Sequence, residues 1–307
     1  MLYRQDHPHF EIIVVNDRSD DGTGDWLQRQ AKSKEELRAV TIDETPKNFN
    51  AKKYALSLGI KEANYDVILL TDADCWPETD HWIQQMSQRF TGDTQIVLGY
   101  SPYAKMPGWI NGFIRFETLL TAIQYLSFAL WGSPYMGVGR NLAYRKSFFN
   151  RNNGFQDYET ITGGDDDLFV NRYGTESNTD ITIGREVVVW SSPKTRLKDY
   201  FNQKNRHLAV GKYYKLGDKI KLGLFSLSHI IFWSSLVSLG LVGAIDLSVL
   251  AVLLLRTMSL YLVFILSAKK LGDQINLGTL LLWDLLFAFY YLSTGVTALA
   301  AKNIKWG

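Results

Sequence analysis

Two aspartates one residue apart, Asp72 and Asp74, directly follow a short apolar run at residues 67–70. Side chains at i and i+2 of an extended chain point to the same side, and ligands of open α/β sheets bind at the carboxyl ends of the strands. Because two carboxylates aimed at one spot repel each other, the pair predicts a hard divalent cation that carries a diphosphate. An isolated Asp-x-Asp more often marks a turn after a strand, so its context decides the interpretation.

Further carboxylates stand at similar places in the chain. Asp17 follows a β-branched run at residues 10–15, and Asp165, Asp166 and Asp167 follow two consecutive glycines. A glycine loop that enters a helix suits such a cluster, because acidic residues favour the N-terminus of a helix. Capping or solvation therefore remains an alternative explanation for Asp165 and Asp167.

The elements that would position these side chains alternate along the first third of the chain. The pattern predicts strands at residues 10–15, 39–42, 66–70 and 95–100, and helices at 25–37, 50–62 and 77–90. Alternation of this kind predicts an α/β fold with a mostly parallel sheet and helices on both faces.

The composition excludes several classes of protein. The 307 residues carry a net charge of only +2, which gives no support to a nucleic-acid partner. The single cysteine, Cys75, excludes an intrachain disulfide framework and a Cys-rich zinc site, and we interpret it as a buried, inert thiol. Residues 1–10 carry Arg4, Asp6 and two histidines, a pattern that does not predict a signal peptide in this segment.

From about Leu222 the chain is overwhelmingly apolar, so we divide it into residues 1–221 and a transmembrane part at 222–307. Three segments are long enough to cross a bilayer, at residues 224–245, 247–268 and 278–300. Arg256 and Asp284 lie inside the second and third segments and should face protein or water, although the sequence does not show whether they pair.

The composition of two further segments predicts helices at or near the membrane. Residues 108–132 are rich in Trp, Phe, Ile and Leu but contain charges, which predicts an interfacial helix on a membrane or against the sheet. A buried core helix is the alternative. Residues 194–221 are strongly basic and predict juxtamembrane helices on the cytoplasmic side.

These features together suit glycosyl transfer from a nucleotide sugar. The leaving group is a nucleotide diphosphate, whose charge a bound metal neutralises, and the acceptor hydroxyl needs a carboxylate that takes its proton. A basic segment such as residues 203–207 can close over the pyrophosphate and help to exclude water.

Five motifs in the same order and spacing resemble the membrane-anchored branch of the family 2 glycosyltransferases, which includes cellulose, chitin and hyaluronan synthase-like enzymes. The motifs are Val14-Val15-Asn16-Asp17-Arg18-Ser19-Asp20-Asp21-Gly22-Thr23, Asn50-Ala51-Lys52-Lys53 with Ala55-Leu56, Thr71-Asp72-Ala73-Asp74-Cys75-Trp76-Pro77, Gly139-Arg140-Asn141-Leu142-Ala143-Tyr144-Arg145 and Gly164-Asp165-Asp166-Asp167-Leu168. The resemblance covers roughly residues 8–215 and implies the GT-A fold.

The resemblance also implies roles for individual residues on the donor side. Asp17 would contact the nucleotide base, and Lys52 would lie near the nucleotide. Asp72 would hold the nucleoside or diphosphate, and Asp74, with Asp72, would ligate Mg²⁺ or Mn²⁺.

On the catalytic side, the family's Glu/Asp-Asp motif matches Asp165-Asp166, so the resemblance implies a catalytic role for both, with Asp166 as the predicted general base. Asp167 is assigned to the acceptor side. Because Asp167 is also acidic, the motif could instead align one residue later.

The chain departs from the family pattern in two places. It lacks the first strand and nucleotide loop that normally precede the region beginning here near residue 8, so we expect this chain alone to be poorly active or unstable. The family's Gln-x-x-Arg-Trp motif reads Gln203-Lys204-Asn205-Arg206-His207. Gln203 and Arg206 match and are assigned to donor binding. His207 replaces an acceptor-side tryptophan, which argues against long-chain polymerisation, although a surface histidine is an equally good explanation.

The predicted function is a membrane-bound hexosyltransferase, with its catalytic domain on the cytoplasmic side of a bacterial-type inner or plasma membrane. Its acceptor would be lipid-linked or a polysaccharide. A processive polysaccharide synthase is an alternative, although three spans are few for a polymer channel. A truncated, non-catalytic nucleotide-sugar-binding or assembly protein is a second alternative. A metal-dependent phosphohydrolase would also use clustered aspartates, but it would need more metal ligands. The five histidines do not fall at the spacing of metal ligands.

Overall fold

The computed structural model describes residues 1–300, with side chains described through residue 295. Within this part the strands are β1 (Ile12–Asp17), β2 (Leu37–Ile42), β3 (Val67–Leu70), β4 (Cys75–Pro77), β5 (Ile96–Leu98), β6 (Leu142–Arg145), β7 (Thr179–Ile181) and β8 (Val189–Ser191). The α-helices of the same part are α1 (Thr23–Ser33), α2 (Ala51–Glu62), α3 (Trp82–Ser87), α4 (Trp109–Leu130), α5 (Lys146–Arg151), α6 (Asp167–Tyr173), α7 (Leu197–Val210), α8 (Leu216–Leu241), α9 (Leu247–Leu271) and α10 (Leu280–Ala300). The predicted α/β class, followed by long apolar helices, is confirmed.

The strands pair in both directions. β1 and β2 are parallel, and β3, β6, β5 and β7 form one sheet in that order. In that sheet β6 is antiparallel to both neighbours, whereas β5 and β7 are parallel. β4 and β8 form a separate antiparallel pair. The sheet is therefore mixed rather than mostly parallel, because β6 enters between β3 and β5 from the opposite direction.

The predicted helix at residues 77–90 is much shorter, and its first part is extended. Pro77 ends β4, and the Glu78 N–H donates to the Val188 carbonyl, which continues the pairing with the β8 side. The Thr79 hydroxyl donates to the Glu186 carbonyl. These hydrogen bonds to a distant part of the chain hold residues 78 and 79 outside a helix, and α3 begins only at Trp82.

The chain folds into two compact units. Of the described residues, the first unit comprises 1–101 and 125–191, and the second comprises 102–124 and 192–300. The second unit thus includes the basic helix α7 and the first part of α4 together with the apolar helices. The division at residue 221, made from composition, stays a prediction.

The core of the first unit includes the fully buried polar side chain of Asn141. Its Nδ2 donates to the carbonyls of Tyr100 and Val187, both at 2.7 Å, and its Oδ1 accepts from Trp82 Nε1 at 2.9 Å. A buried amide with all these partners satisfied fixes the relative positions of the segments that it joins. Asn141 therefore holds the turn before β6 in one place.

In the second unit, the first part of α4 packs through aromatic side chains. The ring of Phe113 lies 5.9 Å from that of Trp283 and 5.6 Å from that of Tyr290, in edge-to-face contacts. Phe116 stacks on Phe264 with ring centroids 5.2 Å apart. Because most of residues 111–122 are buried in these contacts, the buried-helix alternative describes this part better than an exposed interfacial helix.

Three helices are long and apolar enough to cross a membrane, at residues 216–241, 247–271 and 277–295 of the described chain. The first ends before the predicted residue 245, because Gly243 adopts a left-handed φ of 68° and Asp246 caps α9 through the Val249 N–H. Residues 296–300 of the third predicted span are helical in backbone, and their side chains lie outside the described residues.

The two charged residues predicted inside the spans form an ion pair. Arg256 Nη1 lies 2.7 Å from Asp284 Oδ2, which also accepts from Trp233 Nε1 at 3.0 Å. The His229 ring contacts the Asp284 carbonyl through Nε2 at 2.8 Å and Arg256 Nη2 through Nδ1 at 3.3 Å. These contacts imply a neutral imidazole that donates from Nε2. The network joins α8, α9 and α10 and leaves neither charge exposed to lipid alone.

Candidate active site

The predicted carboxylate pair lies in the turn between β3 and β4. The Asp72 carbonyl accepts from the Cys75 N–H at 3.1 Å, which closes the turn. One ligand atom from each of Asp72, Asp74 and Cys75 lies within 4.8 Å of the other two, and Asp74 is exposed. Converging carboxylate oxygens that solvent can reach suit Mg²⁺ or Mn²⁺, whose ligands are hard oxygens.

Cys75 does not add a metal ligand of matching chemistry. Burial raises the pKa of its thiol to about 11, so the sulfur is protonated at neutral pH. A protonated, soft sulfur is a poor ligand for a hard cation and a poor nucleophile. The residues therefore fit a cation held by two carboxylates and by the phosphates of a substrate.

Lys52, in the first turn of α2, joins the Asp72 turn to the second acidic cluster. Its Nζ lies 2.9 Å from Asp165 Oδ2 and 3.6 Å from Asp72 Oδ1. Burial alone would lower the pKa of Lys52, but the charges of Asp165, Asp72 and Asp166 outweigh it and hold the pKa above its ordinary value. Lys52 is thus a permanent cation between carboxylates that are far apart in sequence.

Asp166 caps α6 and is held by backbone on both oxygens. Oδ1 accepts from the Asp167 N–H at 2.8 Å, and Oδ2 accepts from the Gly139 N–H at 2.7 Å. Burial, and then the charge of Asp165, raise the pKa of Asp166, while Lys52 and the two N–H groups oppose the rise. A fixed carboxylate with a raised pKa has the properties of a general base.

The other two aspartates of the cluster have clear structural partners. Asp165 is only 4% exposed, and its charge is balanced by Lys52. Asp167 is also buried, and its Oδ1 accepts from the Leu168 N–H at 2.7 Å. The catalytic role predicted for Asp165 and the acceptor-side role predicted for Asp167 stay predictions.

The loop before this cluster is anchored by Lys53, which is completely buried. Its Nζ donates to the carbonyls of Ile161 and Gly163, both at 2.5 Å, and lies 5.2 Å from the centre of the Tyr158 ring. Gly163 and Gly164 both have a φ of 78°, a conformation that glycine adopts without strain. Lys53 therefore fixes the path by which the chain reaches Asp165.

Asp17 lies at the carboxyl end of β1, as predicted. Its Oδ1 accepts from Arg18 Nε at 2.9 Å, and Arg18 Nη2 donates to the Thr45 hydroxyl at 3.1 Å. Arg18 has a φ of 57°, unusual for a residue with a side chain and frequent at functional sites. The predicted contact of Asp17 with a nucleotide base stays a prediction.

The remaining predicted residues, Gln203, Arg206 and His207, lie on α7 in the second unit. Gln203 Oε1 is buried and makes no hydrogen bond within the described residues. Their assignment to the donor and acceptor therefore stays a prediction.

Two residues inside the sequence motifs, Gly139 and Lys53, have roles in the site that local sequence patterns did not predict. Gly139 supplies an N–H to Asp166, and a Cβ at Gly139 would lie 3.2 Å from Asp166 Oδ2. The sequence assigned a role to Lys52 but none to its neighbour Lys53. Lys53 lies three residues after the N-cap Asn50, whose side chain accepts from the Lys53 N–H. Nothing else in the sequence of this helix indicates that the Lys53 side chain is buried, so its anchoring role could not be predicted.

Comparisons with known proteins find similarity to glycosyltransferases. Residues 2–152 match the family model described as glycosyl transferase family 2. The curated "Probable glycosyltransferase YdaM" of Bacillus subtilis (strain 168) is 43% identical over 68 residues, which are 22% of this chain and 16% of that protein. The chain thus matches about one sixth of the length of that relative.

Among solved structures, the mannosyltransferase PcManGT from Pyrobaculum calidifontis, in complex with GDP-Man and Mn²⁺, is similar with a TM-score of 0.60 and 18% identity. The likeness covers 98% of this chain and 81% of that one, and it confirms the GT-A-like fold. S. aureus TarS 1-349 in complex with UDP-GlcNAc has a TM-score of 0.43 and 14% identity, covering 68% of this chain and 59% of that one. The family match covers residues 2–152, and the solved structure supports a GT-A-like fold for the chain. The cellulose and chitin synthase-like branch stays a prediction.

Proposed function

We propose that this chain is a membrane-bound glycosyltransferase that moves a sugar from a nucleotide-diphosphate sugar to a hydroxyl of a lipid-linked or polysaccharide acceptor. One observation carries the proposal. Lys52 Nζ lies 3.6 Å from Asp72 and 2.9 Å from Asp165, so the carboxylate turn and the Asp165–Asp167 cluster share one site. A donor diphosphate and a base must lie this close together for direct transfer.

On the donor side, Asp74 and Asp72 would hold Mg²⁺ or Mn²⁺ against the diphosphate. The cation would neutralise the charge that develops on the leaving nucleotide. Lys52 is a second positive charge beside Asp72, and its raised pKa keeps it protonated when the substrate binds. It would therefore contribute to the binding of the diphosphate.

On the acceptor side, Asp166 would take the proton of the attacking hydroxyl. The acceptor oxygen forms a bond to the anomeric carbon, the bond from that carbon to the diphosphate oxygen breaks, and the nucleotide diphosphate leaves. The Gly139 and Asp167 N–H groups hold the two oxygens of Asp166, so that one orientation faces the acceptor throughout. A positioned base of this kind typically contributes about 10²- to 10⁴-fold to the rate.

The three apolar helices would tether the enzyme to a bacterial-type inner or plasma membrane. The basic residues of α7 and the start of α8 favour the cytoplasmic side for the catalytic domain. A nucleotide-sugar donor made in the cytoplasm would be available on that side, and a lipid-linked acceptor would be presented at the membrane surface.

A donor screen on the chain purified in detergent and depleted of membrane lipid tests the proposal. We expect release of nucleotide diphosphate from one class of donor, with GDP-mannose and UDP-linked hexoses tested first, only when Mg²⁺ or Mn²⁺ and a membrane-lipid acceptor fraction are both present. Release that needs no acceptor would indicate hydrolysis instead. Product length, read by mass spectrometry, separates the addition of single sugars from processive synthesis.

Donor binding without release under any condition would favour a non-catalytic nucleotide-sugar-binding protein.

A further inference from the structure

The second unit contains a cavity of about 600 Å³ between the start of α4 and the start of α10. We call it the α4–α10 cavity, and it is lined by residues within 105–119 and 273–283. None of the predicted site residues lines it. A volume of this size is typical of small-molecule sites.

The first turn of α4 lines the α4–α10 cavity through Trp109, Asn111 and Gly112. The first N–H groups of a helix have no acceptor within that helix, and the macrodipole places partial positive charge at this end. α4 is 22 residues long, so its dipole is fully developed. A helix start of this kind favours an anion, above all a phosphate.

A buried donor without a partner stands in the same wall. Trp283 is only 5% exposed, and its Nε1 makes no hydrogen bond within the described residues. The indole edge faces Gly112, because Nε1 lies 3.4 Å from the position that a Cβ on Gly112 would take. Since a buried N–H without an acceptor costs free energy, this group indicates an acceptor atom supplied from the cavity.

The charged residues of the wall leave a positive balance. Asp273 is the acidic residue of the lining, and its Oδ1 lies 2.5 Å from Arg115 Nη2 and accepts from the Gln274 N–H at 2.6 Å. Arg115 and Asp273 therefore neutralise each other. Lys105 lines the same cavity and is exposed at its rim, which adds one cationic charge.

The rest of the wall is mostly apolar, with Phe116, Leu119, Ile275 and Leu282 among its residues. Leu282 lies in a candidate membrane span and is 50% exposed, so it faces lipid if the span is inserted. If α8 crosses the membrane and α9 crosses back, residues 272–279 return to the side from which α8 starts. In that arrangement the α4–α10 cavity would lie at the level where lipid headgroups meet acyl chains.

We propose that the α4–α10 cavity binds a membrane lipid with an anionic phosphate headgroup. The phosphate lies at the start of α4, accepts from Trp283 Nε1 and is balanced by Lys105, and the first part of the lipid chain lies along Phe116 and Leu282. The inference rests on the membrane insertion in the proposed function, and it does not depend on sugar transfer. The same headgroup chemistry belongs to bilayer phospholipids and to polyprenyl-phosphate carriers.

Native mass spectrometry of the full-length chain in detergent, without donor or metal, tests the proposal. The lipids added are dioleoyl phosphatidylglycerol, dioleoyl phosphatidylcholine and a long-chain polyprenyl phosphate. We expect each chain to retain one molecule of an anionic lipid, and to retain phosphatidylcholine more weakly. Trp283→Phe keeps the ring and removes the N–H, so retention should fall about tenfold, as expected for a lost hydrogen bond to a charged group. Trp131→Phe, at an exposed tryptophan of the first unit, should leave it unchanged.

Lys105→Gln provides a second variant at an exposed position, so the test does not depend on the folding of Trp283→Phe. It should reduce retention of both anionic lipids but not of phosphatidylcholine, while Lys32→Gln on α1 should change nothing. Preference for the polyprenyl phosphate over phosphatidylglycerol would identify a carrier lipid as the source, and equal retention would identify the bilayer. Anionic-lipid retention that is unaffected by both cavity variants, or no preference over phosphatidylcholine, would overturn the proposal. Loss of sugar transfer with intact lipid retention would count only against the proposed function.

Discussion

The Gly139 N–H donates to Asp166 Oδ2 at 2.7 Å, across 27 residues of chain. This contact joins the turn before β6 to the N-cap of α6. It makes the orientation of the predicted base depend on a residue that carries no side chain. A Cβ at this position would lie 3.2 Å from the same oxygen, so even the smallest addition must move the carboxylate.

Gly139→Ala should lower kcat about tenfold and leave the affinity for the donor nearly unchanged, because small displacements of a reacting group are costly whereas the Asp72 turn is untouched. Gly211→Ala is the matched control, since no atom lies within 4 Å of a Cβ added at Gly211. Initial rates and donor binding by calorimetry separate the two effects. Equal activity of the two variants would show that the Gly139 contact does not position the base.

Lys52→Met should shift the acidic limb of the pH–rate profile upward. The charge of Lys52 opposes the raised pKa of Asp166, so its removal raises that pKa further and the base is protonated at a higher pH. Affinity for the donor should also fall, because a cation beside Asp72 is lost. Lys52→Arg keeps the charge and should leave the limb nearer to that of the wild type. An unshifted limb in Lys52→Met would contradict the electrostatic coupling.

Lys53→Met should destabilise the fold by about 1–3 kcal/mol, because two buried carbonyls lose their donor. The difference in the free energy of unfolding between wild type and Lys53→Met should increase as pH rises. Burial lowers the pKa of Lys53 in the folded state to about 8 from its ordinary value of 10.5. Between these values the unfolded chain binds more protons than the folded chain, so wild-type stability rises with pH.

Thermal unfolding in detergent at pH 7 and pH 9.5 compares Lys53→Met with wild type. The neutral amine still has two N–H groups for the Ile161 and Gly163 carbonyls, so the loop should keep its path at the higher pH. A difference between the two proteins that stays constant or narrows with pH would refute a lowered pKa for Lys53.

Replacing one partner of the Arg256–Asp284 pair should lower the free energy of unfolding more than replacing both. Arg256→Met alone leaves the Asp284 carboxylate buried among the helices, which typically costs about 3–5 kcal/mol. Arg256→Met combined with Asp284→Leu should recover much of this loss, since no buried charge remains. A double-mutant cycle on thermal unfolding in detergent measures the coupling, and additive losses would contradict a direct pair.

The sequence predicted the parts of the site that depend on local pattern. Asp72 and Asp74 were found from the end of an apolar strand, and the helix start at Asp167 from two glycines followed by acids. The contacts that join these segments were not predictable in this way. The bridge from Lys52 to Asp165 and the contact from Gly139 to Asp166 depend on how distant segments pack, and no local periodicity encodes that.

The same reason explains the sheet. The positions of β1, β2, β3 and β5 follow from β-branched runs, but their partners are set by tertiary packing. The antiparallel insertion of β6 between β3 and β5 therefore escaped the prediction. Lys53 escaped because lysine is seldom fully buried, and only the carbonyls of a loop more than a hundred residues away explain its position.

The central claim is that Asp74 serves the donor and Asp166 serves the acceptor in one transfer reaction. The most direct measurement compares wild type, Asp74→Ala and Asp166→Asn in membranes with a radiolabelled donor, and records binding of the donor and transfer of its sugar. The account predicts that Asp74→Ala loses metal-dependent donor binding, and transfer with it. It also predicts that Asp166→Asn still binds the donor and loses about 10²- to 10⁴-fold in transfer. Transfer at the wild-type rate in either variant would contradict the account.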